Sequence, residues 1–168
     1  DMIKVAVDAM GGDHAPAAIV KGAVDALQER DNLFVYLAGK EDAIRQELSK
    51  YSYPEERIQI VPASQVIETG EPPVNAIRGK KDSSLVVALG LVRKGEADAF
   101  VSAGSTGAVL VGGQVMVGKL KGVERAPLAP LIPTLKGSSL LIDCGANVDA
   151  RSSHLVQFAR MGSIYMEN

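Results

Sequence analysis

The sequence predicts an α/β protein of three layers (αβα), with helices on both faces of a mostly parallel sheet. Short apolar runs of strand length alternate with amphipathic segments of helical period, the pattern of successive βαβ units. Three polar, glycine-bearing turns, 8–13, 102–107 and 143–147, each follow directly on an apolar run. At 168 residues, with 46% hydrophobic and 23% charged, the chain can bury one ordinary core and is not composed like a disordered segment.

Ile3–Asp8 is the first expected strand, and Ala15–Glu29 the first helix, with Val20, Val24 and Leu27 on one face at the 3.6-residue period. Pro16 suits its first turn and Asp13 suits a cap. Strand Leu33–Ala38, helix Glu41–Lys50 and strand Ile58–Pro62 follow. Glu71-Pro72-Pro73 breaks any preceding element and leads into a short helix Val74–Arg78, then an apolar helix Ser83–Arg93. Strand Ala97–Ser102, the second glycine turn and a helix Thr106–Val117 come next. Gly112 and Gly113 each weaken that helix by about 1 kcal/mol relative to Ala, which close packing against another element would offset. Pro127, Pro130 and Pro133 interrupt the apolar run 126–135, so a β-arm is expected there rather than a central strand. A short buried strand Leu140–Asp143 and a helix His154–Ile164 complete the reading. No repeat, low-complexity stretch or linker divides the chain, so residues 1–168 read as a single α/β unit.

Composition narrows the function classes. Aromatics are 4% with no Trp and the net charge is −2, which argues against stacking platforms for single-stranded nucleic acid and against a basic duplex-binding face. A single cysteine, Cys144, excludes an internal disulfide framework, and no Cys/His cluster has metal-ligand spacing. That cysteine usage makes a cytoplasmic setting the expectation, and no signal peptide is expected, since Met2–Val7 enters a strand directly. The uncharged stretch 99–118 is long enough to raise a membrane span. Its glycines with Ser102, Ser105, Thr106 and Gln114 favour a turn and a buried helix instead.

In parallel sheets the carboxyl ends of strands share one edge, so the three turns can converge on one crevice. At the first, Gly11 and Gly12 let backbone N–H groups approach an anion, while Asp8, Asp13 and His14 suit orientation or proton handling. A plain helix cap and turn is the competing explanation. At the second, Ser102, Gly104, Ser105, Thr106 and Gly107 place hydroxyls and N–H donors where a phosphate or oxyanion could sit. The pattern is neither GxGxxG nor a P-loop. At the third, Asp143, Gly145 and Asn147 offer an amide and a carboxylate, residues that also build ordinary turns. Cys144 beside Asp143 reads as a packed small hydrophobe rather than a nucleophile. Arg78, Lys80 and Lys81 form one basic cluster and Lys119, Lys121 and Arg125 another, solvated surface or docking sites for an acidic partner.

Taken together, the segments Val5-Ala-Val-Asp-Ala-Met-Gly-Gly-Asp-His-Ala-Pro16, Ser102-Ala-Gly-Ser-Thr-Gly-Ala108 and Asp143-Cys-Gly-Ala-Asn-Val-Asp-Ala150 resemble the bacterial phosphate acyltransferase family of phospholipid synthesis. The likeness extends through Ala126–Thr134 and His154–Gly162, and so over essentially the whole chain. It implies a fold similar to phosphotransacetylases and the isocitrate/isopropylmalate dehydrogenases. It also implies a homodimeric enzyme, soluble or peripherally membrane-associated, that converts acyl-[acyl carrier protein] and inorganic phosphate into acyl phosphate and free carrier protein without an organic cofactor. Family members are about twice this length, so these residues correspond to an N-terminal half, expected to be inactive alone. The expected phosphate and carbonyl sites fall on Gly11, Gly12, Ser102, Ser105, Thr106 and Asn147, with Asp8, Asp13 and His14 ordering them or handling protons, and the basic clusters are docking candidates for acyl carrier protein. Two positions depart from the family pattern: Ser105 stands where Asn is usual, and Cys144 where an aliphatic residue is usual. A phosphotransacetylase acting on coenzyme A thioesters, and a non-catalytic binding or dimerisation module using helix 108–118 and arm 126–135, stay open as alternatives.

Overall fold

The computed structural model describes residues 1–167. Its contacts divide the chain into two compact units, Asp1–Val117 and Gly118–Asn168.

The first unit alternates strand and helix: β1 (Ile3–Asp8), α1 (Ala17–Glu29), β2 (Leu33–Gly39), α2 (Glu41–Leu48), β3 (Ile58–Pro62), α3 (Pro73–Gly79), α4 (Ser84–Arg93), β4 (Ala99–Val101) and α5 (Thr106–Gly112). All four strands are parallel, in the order β3-β2-β1-β4. Successive side chains of a strand alternate between faces, and the sequence uses both. Val5, Val7, Val35 and Leu37 join Val20, Val24 and Leu27 of α1 and Ile44 and Leu48 of α2 in one core. Ala6 and Ala38 face Ala88 and Leu91 of α4 in another, where small side chains let helix and sheet approach closely. A third cluster joins Ile77, Leu85, Leu89 and Ala108 across α3, α4 and α5. Each fully buried aliphatic side chain, such as Leu27, Leu37 or Ile44, contributes roughly 1.5–3 kcal/mol.

Several boundaries differ from the sequence expectation for identifiable reasons. Helix α1 begins at Ala17, with Pro16 in the capping position and no side-chain cap bond, so Asp13 lies too far upstream to cap it. Ser83 does cap α4, its oxygen accepting the Val86 N–H at 3.3 Å. The fourth strand is only Ala99–Val101. The regular helix of α5 ends at Gly112 and continues as a π-helical turn, Gly113–Val117. A Cβ on Gly112 would lie 2.5 Å from Leu89 Cδ1, so close packing does accompany that glycine, whereas Gly113 has open space beside it.

The second unit holds β5 (Leu131–Thr134), β6 (Gly137–Leu140) and α6 (Ser152–Glu167). The β-arm is an antiparallel hairpin, with Thr134 opposite Gly137 and Leu131 opposite Leu140. This corrects the expected strand Leu140–Asp143: only Leu140 is strand, Leu141 is exposed, and Gly137 at φ +134° lets the chain turn earlier. Pro133 sits in β5, whose residues are all exposed. Among the described residues no helix is long and apolar enough to cross a membrane.

Candidate functional site

The order β3-β2-β1-β4 contains a topological switch. From β1 the chain steps outward to β2 and β3 with α1 and α2 on one face, then returns past α4 on the other face to place β4 on the far side of β1. Open α/β sheets form their ligand crevice at such a reversal, outside the carboxyl ends of the two strands. The register pairs Val7 with Val101, so the next residues, Asp8 and Ser102, stand side by side at that edge.

Their side chains meet. Ser102 Oγ donates to Asp8 Oδ2 at 2.8 Å and accepts the Gly104 N–H at 3.0 Å. The second carboxylate oxygen, Oδ1, accepts the Met10 N–H at 3.3 Å. Asp8 is 2% exposed, whereas Ser102 is half-buried. Glycine is required for this contact. A Cβ on Gly11 would stand 2.4 Å from Asp8 Oδ2 and 3.0 Å from Ser102 Oγ, and one on Gly104 would stand 3.2 Å from Gly11 Cα. Gly12, at φ +111°, adopts a conformation that L side chains rarely take and faces the Ala103 backbone. The first two glycine turns therefore lock together, with Asp8 and Ser102 at their junction.

Around this pair, Asp13, His14 and Thr106 are exposed. Ser105 is buried and caps α5, accepting the Ala108 N–H at 3.2 Å, and Gly107 gives room to the Pro73 ring. The hydroxyl at the position where the resembled family carries Asn is thus an acceptor within its own helix. In the basic cluster, Arg78 and Lys81 are exposed, whereas Lys80 Nζ turns inward to the Val66 carbonyl at 2.7 Å and to Glu71. The Lys80 ammonium, and after it the Glu68 N–H, hold the Glu71 carboxyl below its ordinary range. The Ser64 hydroxyl and then its N–H lower Asp82 in the same sense.

The third turn belongs to the second unit, and its polar groups are engaged there. Asp143 accepts the Leu128 N–H at 2.6 Å through Oδ1 and the Asn147 N–H at 2.8 Å through Oδ2. The Asn147 amide donates to the Ala126 carbonyl at 3.2 Å, and Arg125 reaches its oxygen at 3.5 Å. Gly145 supplies the turn at φ +78°. The set fastens segment 126–128 to the turn. Cys144 is half-buried rather than packed in a core. Lys119 donates to the Glu124 carbonyl, and Lys121 is exposed.

Sequence reasoning missed His154. It is buried in α6, its Nε2 lies 2.9 Å from Glu124 Oε2, and its Nδ1 accepts the Arg151 N–H at 3.1 Å. Its four-residue spacing from buried Phe158 was a legible signal of an inward face, but the partner Glu124 was not.

Comparison with known proteins agrees with this architecture. A family model described as "Fatty acid synthesis protein" matches residues 3–168. A phosphate acyltransferase of Clostridium botulinum (strain Alaska E43 / Type E3) is 52% identical over 166 residues, covering 99% of this chain and 50% of its own length. One from Clostridium kluyveri (strain ATCC 8527) is 52% identical over 164 residues, covering 98% and 49%. The chain thus spans about half the length of these curated relatives. Among solved structures, a phosphotransacetylase from Streptococcus pyogenes aligns at TM-score 0.69 with 20% identity, over 94% of this chain and 51% of that one. The EutD phosphotransacetylase from Staphylococcus aureus aligns at TM-score 0.65 with 20% identity, with the same coverage. These two show a shared fold.

Proposed function

The chain belongs to the fatty acid synthesis protein family, and from that premise we propose that it is the N-terminal half of an acyltransferase making acyl phosphate from acyl-[acyl carrier protein] and inorganic phosphate, a step that feeds phospholipid synthesis. The observation that carries the reading is the Asp8–Ser102 pair at the carboxyl ends of adjacent parallel strands, where α/β sheets bind their ligands. The relatives named phosphate acyltransferase supply the reaction class.

Phosphate is itself the nucleophile. One of its oxygens forms the new bond to the thioester carbonyl carbon, the carbon–sulfur bond breaks, and the proton that hydrogen phosphate carried ends on the released thiol. No covalent enzyme intermediate is required, so the protein has to hold the phosphate, position it on the carbonyl and stabilise developing charge. Gly11, Gly12, Gly104 and Thr106 are proposed to border the phosphate beside Ser102, with Asp8 ordering Ser102 and with Asp13 and His14 at the exposed rim. Arg78 and Lys81 are proposed to meet the acidic carrier protein, a role from which the internal bonds of Lys80 remove it. Asp143 and Asn147 are assigned to ordering segment 126–128. A homodimer, with peripheral association at the membrane through residues outside this chain, belongs to the same proposal.

The test follows free carrier thiol after mixing the full-length protein with palmitoyl-[acyl carrier protein], with and without phosphate. Phosphate-dependent release that is lost in Ser102→Ala supports the assignment. Release from coenzyme A thioesters alone favours a phosphotransacetylase, and release from neither favours a binding or dimerisation module.

A further inference from the structure

We infer that the Asp8–Ser102 pair reads the proton on the incoming oxyanion, so that the site accepts hydrogen phosphate and rejects sulfate; the inference rests on the phosphate reading above. It follows from counting hydrogens and lone pairs at one oxygen. A serine hydroxyl has one hydrogen to donate and two lone pairs to accept with. An ionised carboxylate only accepts, so the hydrogen between Ser102 and Asp8 belongs to Ser102 and is committed to Oδ2 at 2.8 Å. One lone pair accepts the Gly104 N–H at 3.0 Å. What the half-buried Ser102 still offers a ligand is its second lone pair, an acceptor.

The orientation is fixed. Turning the hydroxyl hydrogen toward a ligand would take it away from a carboxylate that is 2% exposed and has little water to replace it. Asp8 is held on its other side as well: Oδ1 accepts the Met10 N–H at 3.3 Å, and Oδ2 lies so near Gly11 that a Cβ there would stand 2.4 Å from it. A bare sulfate oxygen at Ser102 meets a lone pair with a carboxylate behind it. The hydroxyl of hydrogen phosphate, which sulfate lacks near neutral pH, donates to that same lone pair. Asp8 is therefore a positioning residue: it acts through Ser102 and sets the polarity of the contact. Leaving an acceptor unpaired against another acceptor is worth roughly a ten- to hundred-fold difference in affinity.

Calorimetric titration of the full-length protein with inorganic phosphate and with sodium sulfate at equal ionic strength tests this directly, alongside sulfate inhibition of thiol release. The expected result is at least tenfold weaker binding of sulfate. In Asp8→Asn the new amide can donate to Ser102 Oγ and free the hydroxyl hydrogen for the ligand, so the preference should shrink to within about threefold. Ser102→Ala, which keeps Asp8 and releases the Gly104 N–H as a donor suited to sulfate, should shrink it as well and covers the case in which Asp8→Asn does not fold. Equal binding of the two anions by the unaltered protein, failure to bind phosphate, or an unchanged ratio in the folded variants would overturn the inference. The two readings separate cleanly: phosphate preference without thiol release leaves the proton reading standing and removes the acyl-transfer one, while thiol release inhibited equally well by sulfate does the reverse.

Discussion

Gly11→Ala is the sharpest perturbation of the junction between the two turns. The added methyl would sit 2.4 Å from Asp8 Oδ2, 2.9 Å from its Cγ and 3.0 Å from Ser102 Oγ. Relief to an ordinary contact needs about 1 Å of movement, since carbon–oxygen contacts inside proteins rarely close below the usual packing distance. The carboxylate is buried and held by Ser102 and Met10, so that movement stretches the 2.8 Å Ser102 bond past hydrogen-bonding range. Overpacking costs about 1–3 kcal/mol, and loss of a hydrogen bond to a charged group about 1.5–3 kcal/mol. A destabilisation of about 3 kcal/mol or more is expected, with loss of phosphate-dependent thiol release. Gly22→Ala is the matched control: exposed on α1, with nothing within 4 Å of its added Cβ, it should stabilise by about 0.5–1 kcal/mol and leave activity intact. Urea titration of the full-length proteins followed by far-UV circular dichroism, with thiol release measured in parallel, compares them. Gly11→Ala matching Gly22→Ala in both midpoint and activity would refute the reasoning.

Two further outcomes follow from the first unit. Ser83→Ala removes the cap of α4, the helix covering one sheet face, and should cost about 1 kcal/mol, which thermal midpoints check. Glu71 and Asp82 have their carboxyls lowered in the folded state, from ordinary values of 4.5 and 3.8, by Lys80 and Ser64 respectively. Their contribution is therefore present above those values and is lost as pH falls through the depressed ones. Thermal midpoints between pH 6 and 3 should fall less steeply in Glu71→Gln with Asp82→Asn than in the unaltered protein, and parallel curves would contradict the assignment.

Much of the first unit was legible in the residues. The apolar runs Ile3–Asp8 and Leu33–Ala38, helical spacing in Val20, Val24 and Leu27, and the Pro72-Pro73 break place the elements within a few residues of where they lie. The exceptions share one cause. Asp13 resembles a cap in sequence, yet the turn runs on to Pro16 before the helix begins. Leu140–Asp143 has the composition of a buried strand, yet the hairpin register set at Thr134 and Gly137 ends the strand at Leu140.

The site divides along the same line. The first two glycine turns were visible as candidates, and their glycines prove to be required by close approach. That Asp8 reaches Ser102 across 94 positions was not visible, because it depends on β4 returning to the far side of β1 instead of extending the row beyond β3. The partners of Lys80, Asp143, Asn147 and His154 were hidden for the same reason. Periodicity, turn chemistry and composition are properties of neighbouring residues, so the sequence by itself determined the class of fold, the order of its elements and the residue types at the strand ends. Which strands become neighbours depends on the sheet face each crossover covers, and that burial is shared among residues far apart in the chain. Only the tertiary structure decided which of the candidate polar groups face one another and which are consumed in holding the chain together.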